Sequence, residues 1–173
     1  MKIINSGEVK RIQLDHFDDN RGFFNRVFCE NFFNENEIIF PVKQINYVNN
    51  NSSGQVRGLH YQNEEYSEDK YLTCISGGLI DYALDVRPNS QTFGKVYINE
   101  INYTDNVALL IPKGFAHGYQ TLQESTSILY LMSESYKPEN SLGYNILSPK
   151  LNIKLPLPIS CISDKDKKLP YFE

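Results

Sequence analysis

Two of the chain's three histidines lie in glycine-bracketed segments, Arg57-Gly58-Leu59-His60-Tyr61-Gln62 and Pro112-Lys113-Gly114-Phe115-Ala116-His117-Gly118-Tyr119. Imidazole is the side chain best suited to moving protons near neutral pH. A fold that pairs these two distant segments would set both rings in one cavity. A base of this kind needs one ring nitrogen free and the other oriented by a hydrogen bond, preferably to a carboxylate.

A second cluster of chemistry is cationic. Of five arginines, Arg21, Arg26 and Arg57 fall in or near such motif segments, while the twelve lysines are scattered. The planar guanidinium fork suits a phosphate or diphosphate. Ordinary structural ion pairs would place arginines equally well. The net charge of −4 argues against nucleic acid as the main partner. Cys29, Cys74 and Cys161 are odd in number and share no C-x-x-C spacing, as expected of reduced thiols. The start has no apolar leader, and no run approaches a membrane span. A cytoplasmic location, with no membrane partner, is the expectation.

The elements that must position these groups are short. With 173 residues, 40% hydrophobic and 22% charged, the chain fits one domain, 1–173, with a proper core. Ile-, Val- and Tyr-rich runs recur at 44–48, 55–61, 71–75, 79–86, 95–102, 107–111, 118–121 and 127–133. This pattern predicts an all-β sandwich or barrel. The one helical stretch expected is 30–38. Asn49 to Gly54 reads as a turn, and the tail after Pro149 as irregular.

Pro112-x-Gly114-x-x-His117 resembles the second conserved box of the cupin superfamily, which implies a jelly roll or double-stranded β-helix barrel. The first cupin box usually offers His-x-His; here it reads His60-Tyr61-Gln62. A metal set of His60, His117 and one of Glu64, Glu65 or Glu68 falls short of the usual catalytic ligand count. The expectation is a barrel that uses no metal and no cofactor.

Six blocks in order are similar to the dTDP-4-dehydrorhamnose 3,5-epimerase family of sugar-nucleotide epimerases. They are Arg21-Gly22-Phe23-Phe24, Gln44-x-Asn46, Arg57 to Gln62, Asp85-x-Arg87-x-x-Ser90-x-Thr92-Phe93-Gly94, Pro112 to Tyr119, and Ile162-Ser163-Asp164-Lys165-Asp166. The likeness runs from about residue 10 to 170. It implies cofactor-free proton transfer on a nucleotide-linked 4-keto-6-deoxy sugar, inverting C3, C5 or both through an enolate. It makes His60 the base, Asp166 its orienter, Tyr130 the acid and Lys70 the cation near the keto oxygen. Arg57 and Arg21 would hold the diphosphate, and Phe24 would pack on the base or sugar. Gln44, Asn46, Arg26, His117 and Tyr136 complete the implied binding residues. Arg21 and Phe24 reach a neighbour's pocket in that family, so a homodimer is implied.

Read alone, each residue leaves another reading open. His60 would fit a structural histidine, Tyr130 a core tyrosine, and Lys70 a solvated lysine beside Glu68 and Asp69. His117 suits either a ligand contact or the barrel wall. Strand alternation puts Ile128, Tyr130 and Met132 on one face and Leu129 and Leu131 on the other, both apolar. Arg57 and His60 are three residues apart, so a regular strand would send them to opposite faces; Gly58 could host a bulge that turns both inward. The Asp85 block reads as a strand end held by an ion pair.

The chain also departs from the family. Arg26 replaces a glutamate that contacts thymine, Thr73 replaces an arginine, and Leu155-Pro156 replaces Trp-Pro in a chain with no Trp. Changing an acceptor to a cation alters what a pocket can bind, so nucleotide and sugar stay open. Two other readings are a 3,4-ketoisomerase, which typically uses a His-x-His that Gln62 does not supply, and a silent sugar-nucleotide-binding cupin.

Overall fold

Apolar residues on both faces of most strands require cover, and the chain supplies much of it, leaving Ile45, Tyr47 and Ile98 exposed. The computed structural model describes residues 1–5 and 7–173. One sheet contains β1 (Lys2–Ile3), β2 (Lys10–Gln13), β5 (Gln44–Asn50), β7 (Lys70–Ser76), β10 (Val107–Ile111) and β12 (Thr126–Met132), in the order β1-β2-β10-β7-β12-β5. The other contains β6 (Gln55–Gln62), β8 (Gly78–Asp85), β9 (Val96–Asn102), β11 (Phe115–Thr121) and β13 (Ser141–Gly143), in the order β13-β6-β11-β8-β9. A short strand, β14 (Cys161–Ile162), runs parallel to β6, and β3 (Asp15–Asp19) forms a hairpin with β4 (Gly22–Arg26). The all-β cupin architecture expected from the sequence is what forms.

Three apolar layers hold it. Leu72, Leu79, Leu109, Ile111, Phe115 and Ile128 pack in one buried cluster, with Tyr130 against it. Ile12, Tyr71, Leu110 and Leu131 pack with Phe33 and Phe40 around α1 (Glu30–Glu35). Leu59, Tyr82 and Leu84 meet the tail residues Ile146, Leu151 and Phe172. Residues an odd number apart on one strand therefore serve different layers: Leu72 one and Tyr71 another, Ile128 one and Leu131 another. Each fully buried Leu or Phe contributes on the order of 2 kcal/mol.

Two local expectations need correction. The helix ends at Glu35 rather than 38, because Glu37 takes a left-handed φ of 59°. Asn49 and Asn50 do not belong to a turn; they end β5. Asn50 is buried because its amide donates to Thr126 O at 3.0 Å.

Candidate active site

His60 and Asp166 lie 106 positions apart, and the tail's path explains how they meet. β14 runs alongside β6 with Cys161 opposite Gln55 and Ile162 opposite Val56. A single helical turn follows, α2 (Asp164–Lys167), capped by Ser163, whose hydroxyl accepts the Asp166 N–H at 3.0 Å. That turn sets Asp166 against β6. His60 Nε2 then lies 2.6 Å from Asp166 Oδ1, and the Gly58 N–H donates to Oδ2 at 3.2 Å. Burial pushes the Asp166 carboxyl up, but the bonds from His60, Gly58 and Ser163 outweigh it and hold the group below its usual range. With Nε2–H given to the carboxylate, Nδ1 is left to accept a proton.

The difficulty over Arg57 and His60 is resolved by the backbone. β6 pairs with β11 so that His60 faces His117 but Arg57 faces Tyr119, which leaves one extra residue on β6 between the two pairs. This bulge is centred on Gly58, at φ 100°. A Cβ there would sit 2.5 Å from His117 O and 2.6 Å from Gly118 Cα, so glycine is required. Leu59 turns outward into the core, and Arg57 and His60 both line the same cavity.

That cavity has a volume of about 460 Å³ and is also lined by Lys70, His117, Tyr130, Tyr136 and Asp166. Tyr130 comes from β12 on the face shared with Ile128 and Met132, which the apolar pattern alone left undecided. Burial raises the Tyr130 pKa and nearby Arg57 lowers it, with a net rise, so the phenol keeps its proton at neutral pH. His117 Nε2 bonds the fully buried Asp81, making a second imidazole–carboxylate pair beside the first. Arg57 Nε donates to Asn50 Oδ1 at 3.0 Å, which anchors the guanidinium at its base.

Other expected residues stand apart. Gln44 and Asn46 lie on β5 and are bonded to each other at 2.8 Å, and Gln44 Oε1 accepts the Tyr136 N–H at 3.1 Å. Arg21 and Phe24 are on the exposed β3–β4 hairpin, where Arg21 pairs with Asp19 at 2.5 Å. Arg26 lies 3.5 Å from Asp15. None of these five lines the cavity within one chain.

Three polar residues of the site escaped the sequence reading. Asp81 lies in the run Gly78–Asp85, and a carboxylate in mid-strand between Ile80 and Tyr82 was the available signal. Asn50 was hidden by its asparagine-rich neighbours. Glu68, considered only as a metal ligand, is buried and bonded to Lys70. Gln62, at the position of a cupin histidine, is fully engaged: Nε2 donates to Tyr66 O and Ser135 O at 2.8 and 3.2 Å, and Oε1 accepts the Lys137 N–H at 2.6 Å. Among the described residues no three His, Cys, Asp or Glu side chains are grouped to hold a metal ion. Among them, too, no helix is long and apolar enough to cross a membrane.

Comparison with known proteins decides the family. A family model described as dTDP-4-dehydrorhamnose 3,5-epimerase matches residues 5–173. The chain belongs to that family. It is an isomerase of the dTDP-4-dehydrorhamnose 3,5-epimerase type. It is 37% identical over 164 residues to the dTDP-4-dehydrorhamnose 3,5-epimerase of Sinorhizobium fredii, covering 94% of this chain and 84% of that one. The Bacillus anthracis epimerase, solved with TDP and PPi bound, superposes with a TM-score of 0.96 at 29% identity, covering 99% of both chains. The Legionella pneumophila enzyme, in complex with dTDP-4-keto-L-rhamnose, gives a TM-score of 0.91 at 30% identity, covering 99% of this chain and 98% of that one.

Proposed function

We propose that the chain inverts C3, C5 or both of a nucleotide-linked 4-keto-6-deoxy sugar by proton transfer, without a cofactor, in deoxysugar or surface-polysaccharide synthesis. The reading rests on the 2.6 Å bond between His60 and Asp166 at the wall of the cavity that Tyr130 also lines. His60 Nδ1 takes the proton from the carbon beside the ketone, and the C–H electron pair moves into an enolate. Asp166 fixes the tautomer and stabilises the imidazolium that forms. Tyr130 returns a proton to the same carbon from the opposite face, inverting it. Lys70, which lines the same cavity, would supply the cation that favours the developing oxyanion.

Arg57 is the diphosphate ligand within the chain, anchored by Asn50. Arg21 and Phe24 would be supplied to the cavity by a second copy in a homodimer; their exposure on the hairpin supports this, with Phe24 at 60%. The dTDP nucleotide is favoured by relatives that carry it in their names or their bound ligands.

The test is exchange in deuterated water. Incubation with dTDP-4-keto-6-deoxyglucose should place deuterium at C3, at C5 or at both, read by NMR. A carbonyl moved from C4 to C3 would instead identify a ketoisomerase. No exchange with the dTDP, GDP or CDP sugars would leave only a binding protein.

A further inference from the structure

We propose that Glu68 is the positioning residue of Lys70: one carboxylate oxygen fixes the ammonium at the cavity wall so that its remaining N–H bonds face the sugar. This rests on the epimerase reading above. Glu68 and Lys70 are 5% and 7% exposed, and Glu68 Oε1 accepts directly from Lys70 Nζ. Glu68, Lys70 and Leu72 all line the cavity, as alternate residues of one extended segment must. Asp69, between them, is anchored away from it. Its N–H donates to Ser133 Oγ at 2.7 Å, its O accepts the Ser133 N–H at 3.0 Å, and its carboxylate accepts the Lys113 N–H at 3.0 Å and the Ser133 hydroxyl at 3.1 Å. The segment is thus held firmly on the side away from the cavity, and the ion pair is presented on the other.

Stability does not account for the pair. Removing two charges from water costs about as much as their attraction returns, and apolar residues of similar volume hold such a site as well. Moreover, Glu68 Oε2 is buried with no hydrogen-bond partner among the described residues, which a pair serving stability alone would avoid. Lys70 has a long, flexible side chain, and among the described residues Glu68 is the one acceptor of its Nζ. Without that acceptor the ammonium would sample several rotamers. A cation that must meet an oxyanion in the transition state gains from being fixed beforehand.

The experiment compares wild type, E68Q, E68A, K70M and the E68A/K70M double variant. It follows kcat for epimerisation and, separately, the Kd for dTDP by calorimetry. E68A should lower kcat about 10- to 100-fold while the dTDP Kd stays unchanged. E68Q should recover part of the loss, because its amide oxygen still accepts from Lys70. In the K70M background E68A should cost less than about twofold more, since residues acting through one group are not additive. If K70M is too slow to follow, the split between kcat and Kd and the recovery by Gln decide. An E68A enzyme with full kcat, an equal loss in both backgrounds, or a loss carried by weaker dTDP binding overturns the proposal alone. A wild-type protein that exchanges no proton of any sugar nucleotide overturns the epimerase reading and this proposal with it.

Discussion

His60 on β6 and His117 on β11 are cross-strand neighbours, and each ring gives its Nε2 to a different buried carboxylate, Asp166 and Asp81. The two pairs differ in setting. The His60 side chain is 39% exposed and faces open cavity, whereas that of His117 is 13% exposed and sits deeper. Both rings line the cavity, but the first is the more open to an incoming sugar. Asp166→Asn should therefore cut kcat by about 10³- to 10⁴-fold through the wrong tautomer, while Asp81→Asn costs roughly tenfold. Steady-state kinetics on both variants checks the asymmetry, and equal losses would contradict it.

Tyr130→Phe keeps the ring in its apolar seat and removes only the proton. Deprotonation by His60 should survive, so deuterium should still wash in at C5 while net inversion falls at least about tenfold. Parallel NMR measurement of exchange and of product separates the two steps.

The bulge makes a stability prediction. Gly58→Ala would force a Cβ onto His117 O and Gly118 Cα at a φ of 100°. A loss of about 1–3 kcal/mol or more is expected. Urea denaturation should show it, together with reduced activity, because the bulge sets the relation of Arg57 to His60.

Asp85 supplies a pH dependence. Full burial would raise its pKa, but bonds from Arg87, Ser90 and Thr92 hold it well below the usual carboxylate range. A depressed folded pKa stabilises above the unfolded value and loses that contribution as pH falls toward the folded one. Asp85→Asn should thus be less stable than wild type at neutral pH, and the gap should narrow on going from about pH 5 to pH 2. Urea melts at several pH values would reveal a constant gap if the prediction is wrong.

Shared sites in a homodimer predict complementation. Arg21→Ala and His60→Ala would each be impaired alone. In a mixed dimer one cavity would carry both defects and the other none. Refolding the two together should raise activity above that of either, with the dimer verified by sedimentation; no gain on mixing would argue for self-contained sites.

Much of this was legible in the sequence. The run 107–111 is β10 residue for residue, and 44–48, 55–61, 71–75, 79–86, 95–102 and 127–133 each fall within two residues of a strand. Their periodicity is intrinsic, so it survives without knowledge of partners. The short strands β1 to β4, β13 and β14 were missed because their formation is set by what they pair with. The Asp166 turn escaped for the same reason: four residues carry no period, and its place is fixed by β6. The cavity's histidines and Arg57 stood out through their motifs, whereas Tyr130 came only from the family likeness. Asp81, Asn50 and Glu68 did not, since burial of a polar group is a property of the fold and not of the local string.

Gln62 also bears on descent. Its amide makes three bonds to two separate stretches of main chain, one at Tyr66 and one at Ser135 and Lys137. Exchanging it for the histidine that metal-dependent barrels carry would loosen two loops before any ion could be gained. A first step from this chain toward a metal-binding rim would therefore begin by giving up contacts that the rim now uses.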